Sequence, residues 1–478
     1  MADRPLSVLI FAHVFYPSHE IGAKRLTALA RHLAAQGVRV VVVSEFGGRE
    51  VEAGSEILPG VIAIPVRQPR RLVLDTLVWI KNLRGSGPVT TDGVPDGGQI
   101  VAPAAEGSST GLGRIKDAFL NFTYSLDRYK RWSWQASRAA VKAGRRYGVD
   151  VVMSSGPPFS PLIGARMAAR RLGVPFVADL RDPWSDDPWS EEPWTDKEAV
   201  PEERGPKNVR RRARIFQMTE RLVLGSSQAI TVTAEPYREL LAGRYTDRRV
   251  ELIRNGFDGA IRPARAGTGG RLDILFAGEI YMERDPFPIL EAFERLLGRP
   301  DVDAEKVSLT FAGRCASYRG RSLSEWLKGK RVEQAVHLLG QQTADQVAKL
   351  IERSTVLLNL AQRQLRGVTA KTYEHLASGR EMLVICEAAS GTGRLIEGIT
   401  GANMVDPGNK AGLDAVLLDL YRRHVQMGRL AAPSEPEVMP YRRELSNDQF
   451  LQLFTSLAAA GRSRAGFSAF SRRQEGQS

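Results

Sequence analysis

Short apolar runs alternate with amphipathic helical segments along most of this 478-residue chain. Each run is about four to eight residues long and apolar almost throughout, which is typical of a strand buried on both faces of a parallel sheet. The first half of the chain has the runs SVLIFAH, RVVVVS, DVVMSSG, PFVADLR and QAITVT. The second half has the runs LDILFAGE, VSLTFAGR, AVHLLG, TVLLNLA, EMLVICE and GANMVDP. This alternation predicts an α/β fold built from parallel sheets.

The alternation is interrupted at residues 261–271, a basic segment rich in Pro and Gly that has no periodicity. Such a composition is typical of an interdomain linker, and the chain is too long for a single core. We therefore expect two Rossmann-like domains facing a cleft, an N-terminal one over 1–260 and a C-terminal one over 261–440. Residues 441–461 are predicted to form a helix that crosses back to the first domain, and the polar tail 462–478 is predicted to be disordered.

Cysteine usage and hydropathy indicate the compartment. Cys315 and Cys386 are the only cysteines, so a disulfide framework is excluded and a reducing environment is expected. No apolar run approaches the about 18 residues that a membrane span needs. The first apolar stretch lacks the basic region and cleavage site of a signal peptide and is predicted to be a buried strand. These features predict a cytoplasmic protein.

The chain is strongly basic, with a formal net charge of +13, which implies an anionic partner or surface. Residues 67–84 and 114–148 combine Lys and Arg with aromatic side chains, and the Gly/Ser/Pro-rich segment 85–113 between them is predicted to be a mobile insertion. A basic amphipathic helix at 114–148 fits peripheral contact with an anionic membrane. It fits equally a half-buried helix with a solvated face. Nucleic-acid binding is disfavoured because no nucleic-acid-binding module is present.

Several common catalytic and cofactor motifs are absent. The glycines of GTGRLIEG (391–398) are spaced one residue too far apart for a dinucleotide fingerprint, and there is no G-x-x-x-x-G-K-[ST] phosphate loop. The D-x-D at 301–303 stands in a polar loop ahead of a strand, so a solvated turn is expected there rather than a metal site. The six histidines show no metal-ligand spacing, and G-x-S-x-G does not occur.

A lysine and a glutamate near the end of the second half need a functional explanation. If a helix begins after Thr369 as N-cap, Lys371 lies in its first turn, where the macrodipole disfavours a cation. Glu374 follows on the same face but is two positions too late to close a capping box. The preceding loop lies at the carboxyl end of a predicted parallel strand, where α/β sheets bind ligands. The helix start and Lys371 are thus predicted to bind phosphate, and Glu374 to accept hydrogen bonds from ribose hydroxyls.

The pattern K-x-x-E-x-x-A-x-G before an apolar strand resembles the donor-site signature of GT-B glycosyltransferases of the glycosyltransferase family 4 type. Residues 15–33 are similar to the first loop and helix of that family, 254–258 to its N-G-x-D at the domain junction, and 275–293 to the first strand and loop of its nucleotide domain. Residues 154–184 are similar to a subfamily that makes bacterial surface polysaccharides. The resemblance covers nearly the whole chain except 50–113 and the tail.

The resemblance implies further site residues. It places Gly22 where the backbone approaches the donor phosphates, and Gly278 at the end of the first nucleotide-domain strand. Two departures alter the expected diphosphate clamp. Arg366 stands where the family often has a glutamate, and Arg284 is followed by Asp where the family often has a second cation. We therefore expect Arg284 and Arg366 to supply positive charge together with the lysine described above.

The segment DLRDPW ends a predicted strand of the first domain. By the resemblance, Arg181 and Asp182 align with polar residues near the anomeric carbon or the acceptor hydroxyl, where a carboxylate could orient the acceptor and stabilise a cationic transition state. The alternative is an Asp-Pro turn beside a packed Trp184.

Taken with the resemblance, these residues predict a glycosyltransferase of the hexosyltransferase type. It would move a sugar from a nucleotide diphosphate donor to a glycan or lipid-linked acceptor in envelope or exopolysaccharide synthesis, with retention of configuration. Neither a cofactor nor an essential metal is expected, and the protein would work in the cytoplasm or at the inner face of the cell membrane. Two alternatives stay open: a nucleotide-sugar epimerase, and a non-catalytic nucleotide-sugar-binding protein.

Overall fold

The computed structural model describes residues 4–18, 21–68, 127, 129–185, 206–264, 267, 269–281 and 283–475. The chain divides into two compact units, and each is described by itself. The first unit comprises Met1–Thr231, Arg244–Glu251 and Gln449–Ser478, and the second comprises Val232–Gly243 and Leu252–Asp448. The sequence had placed the two boundaries near residues 260 and 440. The predicted insertion at 85–113 lies outside the described residues.

The first unit contains an eight-stranded sheet. Its strands are β1 Ser7–Phe11, β2 Arg39–Ser44, β3 Glu56–Leu58, β4 Val61–Pro65, β5 Val151–Gly156, β6 Phe176–Leu180, β7 Ala229–Val232 and β8 Arg249–Leu252. They are ordered β3-β4-β2-β1-β5-β6-β7-β8. The central pairs around β1 and β5 are parallel, whereas β3 pairs with β4 antiparallel. The sequence did not predict β3 and β4, which lie in the stretch that the resemblance did not cover.

Four helices of the first unit precede or follow these strands: α1 Ile21–Ala35, α2 Lys130–Tyr147, α3 Ser160–Leu172 and α4 Pro206–Leu224. Helices α2 and α3 end at Gly148 and Gly173, which adopt the left-handed conformation (φ 62° and 70°) that glycine tolerates at a helix C-terminus. Helices α2 and α3 pack against each other and α3 packs on β5, so one helical layer covers this face of the sheet.

The second unit has a six-stranded, fully parallel sheet. Its strands are β9 Leu272–Ala277, β10 Val307–Ala312, β13 Val336–Gly340, β14 Val356–Leu360, β15 Glu381–Ile385 and β16 Ala402–Val405, and a separate hairpin is formed by β11 Ser317–Tyr318 and β12 Arg321–Ser322. The sheet order is β13-β10-β9-β14-β15-β16. Every residue of β14 and β15 is buried, which explains their nearly continuous apolar sequences.

The helices of the second unit are α5 Glu235–Arg244, α6 Phe287–Leu297, α7 Leu323–Leu327, α8 Ala344–Arg353, α9 Ala370–Leu376, α10 Gly391–Ile396, α11 Lys410–Tyr421 and α12 Glu435–Val438. Short 3-10 or π turns lie at Phe46–Gly48 in the first unit, and at Ala304–Lys306, Arg331–Glu333, Arg422–Gln426 and Met439–Tyr441 in the second. The last helix, α13 Arg443–Glu475, continues beyond residue 461, where the sequence had placed its end, and its residues from Gln449 belong to the first unit.

All eleven apolar runs predicted as strands form strands, so the predicted α/β class and the two Rossmann-like units are confirmed. The first apolar stretch of the chain is the fully buried strand β1. Among the described residues, no helix is both long and apolar enough to cross a membrane.

Candidate functional site

Two glycines make the backbone unusually close-packed at the carboxyl edge of the second sheet. Gly278 follows β9 and Gly313 follows β10, and their N–H groups donate to Ala312 O and Gly340 O, each at 2.7 Å. A Cβ placed on Gly313 would lie 1.9 Å from Gly278 O, and the φ of Gly313 is 126°. Any side chain at residue 313 would therefore push this edge apart.

Lys371 extends from the first turn of α9 to the same point. Its Nζ lies 4.5 Å from the centroid of the Phe276 ring, and a Cβ on Gly278 would lie 1.5 Å from that Nζ. The amine thus occupies the space that a side chain at residue 278 would fill. The Lys371 Nζ is buried, and it has no hydrogen-bond acceptor among the described residues. An ammonium group buried without a partner is costly, so its presence needs an explanation.

Arg284 adds a second cation beside Lys371. Its Nη1 donates to Glu279 O at 3.2 Å and its guanidinium lies 4.2 Å from the centroid of the Tyr281 ring. Its Nε is buried without an acceptor in the described part of the chain. Burial, and next the charge of Arg284, lower the pKa of Lys371 to about 8; Cys315, Glu374 and Glu279 oppose this shift. Two neighbouring cations with unfilled donors indicate a site for an anion.

The groups beneath these cations are neutral. Cys315 Sγ lies 3.3 Å from Gly278 O, and burial raises the pKa of this thiol to about 11. The buried His375 has its pKa lowered to about 3, by burial and then by the charge of Lys371. At neutral pH the thiol is protonated and the imidazole uncharged, so neither supplies the counter-charge that Lys371 lacks. Cys315 is also a poor nucleophile here.

A buried polar network fixes the start of α9. Thr369 is the N-cap residue by backbone conformation, as predicted, but its side chain makes no capping bond. The Thr369 hydroxyl instead lies 2.7 Å from the hydroxyl of Thr372, and the Asn359 side-chain amide donates to both at 3.0 Å. Asn359 is the next-to-last residue of the apolar strand β14 and was not predicted as a site residue from the sequence. A polar residue inside an apolar run is the signal that could have indicated it. The network ties the sheet to the helix that carries Lys371.

The two other predicted donor-site residues lie near this helix. Glu374 is exposed, and it forms no ion pair with Lys371, although its charge acts to raise the pKa of that lysine. Arg366 is half-buried in the turn before α9. The structure therefore brings Gly278, Arg284 and Lys371 into one cluster, with Glu374 next to it.

In the first unit, Arg181 covers Gly22. A Cβ on Gly22 would lie 2.5 Å from Arg181 Nη1, and Arg181 Nη2 donates to Pro157 O. The resemblance had predicted that the donor phosphates approach the backbone at Gly22. The Arg181 guanidinium fills that space instead. Asp182 follows with a solvent-exposed side chain.

The residues that follow Asp182 are fixed by a ring contact and by a hydrogen bond. Trp184 is buried and stacks on Phe159, with ring centroids 4.7 Å apart and an interplanar angle of 6°. Trp184 is thus packed, as the alternative interpretation of this segment expected. The next residue, Ser185, donates its backbone N–H to Glu220 at 2.9 Å.

A buried ion pair in the first unit was missed from the sequence. Asp179 is fully buried in β6 and pairs with Arg25 of α1 at 3.0 Å. It also accepts hydrogen bonds from Ser155 at 2.6 Å and Thr231 at 2.7 Å. Although burial acts in the opposite direction, the pKa of Asp179 is lowered by Arg25 and these hydrogen bonds. This network joins β5, β6, β7 and α1 beneath the segment that carries Gly22.

The described residues contain no group of three or more His, Cys, Asp or Glu side chains placed to hold a metal ion. The D-x-D carboxylates have structural partners: Asp301 pairs with Arg299 at 2.9 Å, and Asp303 caps the turn at Ala304–Lys306. This confirms the predicted turn.

The chain is similar to known proteins in its first domain and in its fold. Residues 22–256 match the family model described as the glycosyl transferase 4-like domain. A sequence comparison with curated proteins finds no match. The match covers just under half of the chain, and the fold of the whole is the GT-B fold, with two Rossmann-like units.

Three solved structures illustrate this fold. Sucrose-phosphate synthase of Thermosynechococcus elongatus is 15% identical, with 96% of this chain and 100% of that chain covered and a TM-score of 0.56. The α,α-trehalose 6-phosphate synthase of Burkholderia multivorans is 14% identical, with coverage of 96% and 98% and a TM-score of 0.59. HepE of Anabaena, in complex with UDP, is 13% identical, with coverage of 95% and 100% and a TM-score of 0.52. At these identities the likeness shows the fold.

Proposed function

We propose that the second unit binds the diphosphate of a nucleotide-sugar, and that the protein transfers the sugar to an acceptor. The observation that carries this proposal is the buried Lys371 amine, which has no acceptor in the described residues and lies against the bare backbone of Gly278. A phosphate oxygen would provide the missing acceptor, and the absence of a side chain at residue 278 leaves room for the amine that would bind it. HepE has been solved with UDP and with UDP-glucose, so uridine nucleotides are the first ligands to test.

In this proposal the two cations favour the reaction as well as binding. When the sugar–phosphate bond breaks, negative charge develops on the departing diphosphate, and Lys371 and Arg284 would stabilise that charge. Both are already in place and partly desolvated, so little reorganisation is needed. Arg366 would add charge from the adjoining turn, and the exposed Glu374 would accept hydrogen bonds from the ribose.

The finer assignment is also part of the proposal. The transferred sugar would be a hexose, transferred with retention of configuration and without an essential metal or cofactor. The acceptor would be a glycan or a lipid-linked glycan of envelope or exopolysaccharide synthesis. In the first unit the exposed Asp182 and the neighbouring Arg181 would orient the acceptor hydroxyl. Work at the cytoplasmic membrane face would bring such an acceptor within reach.

A nucleotide-sugar screen tests the proposal. Thermal unfolding is measured with UDP-, GDP-, TDP- and ADP-sugars, and each binder is then incubated with and without candidate lipid-linked acceptors. We expect stabilisation by one nucleotide and sugar transfer only when an acceptor is present. Conversion of the sugar without an acceptor would indicate an epimerase instead, and binding without transfer or hydrolysis would indicate a non-catalytic binding protein. No stabilisation by any nucleotide would contradict the donor site itself.

The pKa of Lys371 predicts a pH dependence of donor binding. Only the protonated amine attracts phosphate, and its pKa in the free protein is about 8. Binding is therefore supported in full below that pH and weakens as the pH rises through it, by about tenfold between pH 7 and pH 9. UDP-glucose is a suitable ligand because its diphosphate does not titrate in this range. Isothermal titration over these pH values measures the effect, and a Lys371→Met variant should give a flat profile.

A further inference from the structure

Positive charge is concentrated on the helical layer of the first unit. Helices α2 and α3 contain six and three Lys or Arg residues, and the part of α4 whose side chains the structure describes, from residue 214 on, contains two; the only acidic residue in these parts is Glu220. These helices therefore carry a large excess of positive charge.

The three helices are neighbours, and their outer faces are continuous. A Cβ on Gly164 of α3 would lie 2.6 Å from Ser133 O of α2, so these helices are nearly in contact. Arg166 of α3 donates to Ser226, two residues after the end of α4, at 2.5 Å. Consecutive right-handed crossovers of parallel strands place α3 and α4 on the same side of the sheet. We name the outer face of α2, α3 and α4 the basic face.

Large apolar side chains stand among these cations. Trp134 is 48% exposed on α2, and Met218 and Leu222 are 71% and 54% exposed one turn apart on α4. The Arg138 guanidinium stacks on the Trp134 ring at 3.7 Å from its centroid. The basic face therefore also exposes large apolar side chains. A helix layer that only contacts water has no use for such side chains, so they indicate a binding surface.

The one acidic residue of the layer does not reduce this charge at the surface. Glu220 is 1% exposed and turned inward, where it accepts hydrogen bonds from Ser185 N, Arg244 and the Tyr245 hydroxyl at 2.9, 2.8 and 3.1 Å. On α3, Arg166 has its pKa lowered by burial and by the neighbouring Arg170, which shows how closely the cations are placed. An anionic surface would relieve this mutual repulsion.

We propose that the basic face docks on an anionic lipid bilayer, with its Lys and Arg side chains at the headgroups and Trp134, Met218 and Leu222 in the interfacial region. Polyanions such as nucleic acid would satisfy the charge but would leave exposed Met and Leu side chains unexplained. A bilayer interface satisfies both, because Trp prefers this zone and apolar side chains enter it. The surface lies within the first unit and does not depend on the proposed donor site.

Vesicle co-sedimentation of the full chain tests the docking. The vesicles contain either phosphatidylcholine alone or phosphatidylcholine with phosphatidylglycerol, in about 0.1 M salt. Since each basic residue near an anionic surface contributes about one kcal/mol, the Arg138→Gln/Arg214→Gln variant should partition about thirtyfold more weakly to anionic vesicles. The Trp134→Ala/Leu222→Ser variant should weaken binding by about tenfold. Both arginines are exposed, so the charge variant is expected to fold normally.

A matched control uses two exposed arginines of the second unit, Arg331→Gln/Arg353→Gln, and should bind vesicles like the unchanged chain. Nucleotide binding, measured on the same variants, should not change, which separates this proposal from the donor site. The proposal is overturned if the unchanged chain does not bind anionic vesicles, or if the control weakens binding as much as the basic-face variants. It is also overturned if the chain is retained by a soluble polyanion such as heparin but not by vesicles, which would reassign the face to an acidic macromolecule.

Discussion

Replacing Lys371 with Met should weaken binding of the nucleotide-sugar about a hundredfold and make the ligand-free protein more stable. The loss of affinity follows because a charge-assisted hydrogen bond contributes about 1.5–3 kcal/mol. The gain in stability follows because Met keeps the length of the side chain and removes an amine that has no acceptor among the described residues. Isothermal titration with the donor, and thermal unfolding without it, measure the two effects.

The stability gain should depend on pH in a defined direction. The pKa of Lys371 is about 8 in the folded protein against 10.5 for an ordinary lysine, so the unfolded chain binds more protons between these values. The lysine destabilises the fold fully below pH 8, and this effect disappears as the pH rises toward 10.5. The Tm difference between variant and unchanged chain should be a few degrees at pH 7 and should shrink at pH 9.

Lys349→Met is the matched control, because Lys349 is an exposed lysine on a helix of the same unit. It should change neither donor affinity nor Tm. If Lys371→Met lowered Tm and left affinity intact, the lysine would be a structural residue and the donor site would lie elsewhere. A loss of both affinity and stability would show that the amine has a partner in the ligand-free protein.

The sequence was sufficient where one local rule decides the outcome. The strands are recognisable because parallel strands are buried on both faces, so each is apolar throughout. Lys371 could be identified because it violates a local preference: a cation stands in the first turn of a helix, and the following glutamate does not fit a capping box. Residues that break local rules tend to mark functional sites.

Features that depend on distant contacts were not predictable in this way. Arg25 and Asp179 are 154 positions apart, and each looks like a single polar residue in an amphipathic or apolar segment. Asn359 belongs to the same class, because its partners are set by how α9 packs on β14. The sequence also assigned open backbone to Gly22, and only the structure shows the guanidinium of Arg181 above it. Antiparallel β3 and β4 were missed because the strands are short and half-buried.

The contact between Gly278 and Lys371 likewise required the structure. The resemblance marked Gly278 as the end of a strand and marked Lys371 as a donor-site lysine. The two residues are 93 positions apart in the chain, and this spacing does not show that the Lys371 side chain fills the space beside the Gly278 backbone. That packing makes the glycine itself open to experiment.

Replacing Gly278 with Ala should reduce donor affinity nearly as much as removing the lysine, by about fiftyfold. The added Cβ would lie 1.5 Å from Lys371 Nζ and 2.6 Å from its Cε, so the side chain must leave its present position. A displaced ammonium loses its alignment with the diphosphate, at a cost similar to that of a lost charged hydrogen bond. The φ of Gly278 is 154°, which residues with a Cβ rarely adopt, so the variant should also lose some stability, and its thermal unfolding is measured beside its donor affinity.

Gly243→Ala is the control: Gly243 lies in helix α5 with open space where its Cβ would be. It should leave affinity unchanged and, in a helix, stabilise slightly. The decisive test is the double variant Gly278→Ala/Lys371→Met, titrated with the same donor. If the glycine acts only by leaving room for the lysine, the double variant should bind about as weakly as Lys371→Met alone. Additive losses, approaching a several-thousandfold reduction, would mean that the bare backbone at residue 278 contacts the donor independently of the lysine.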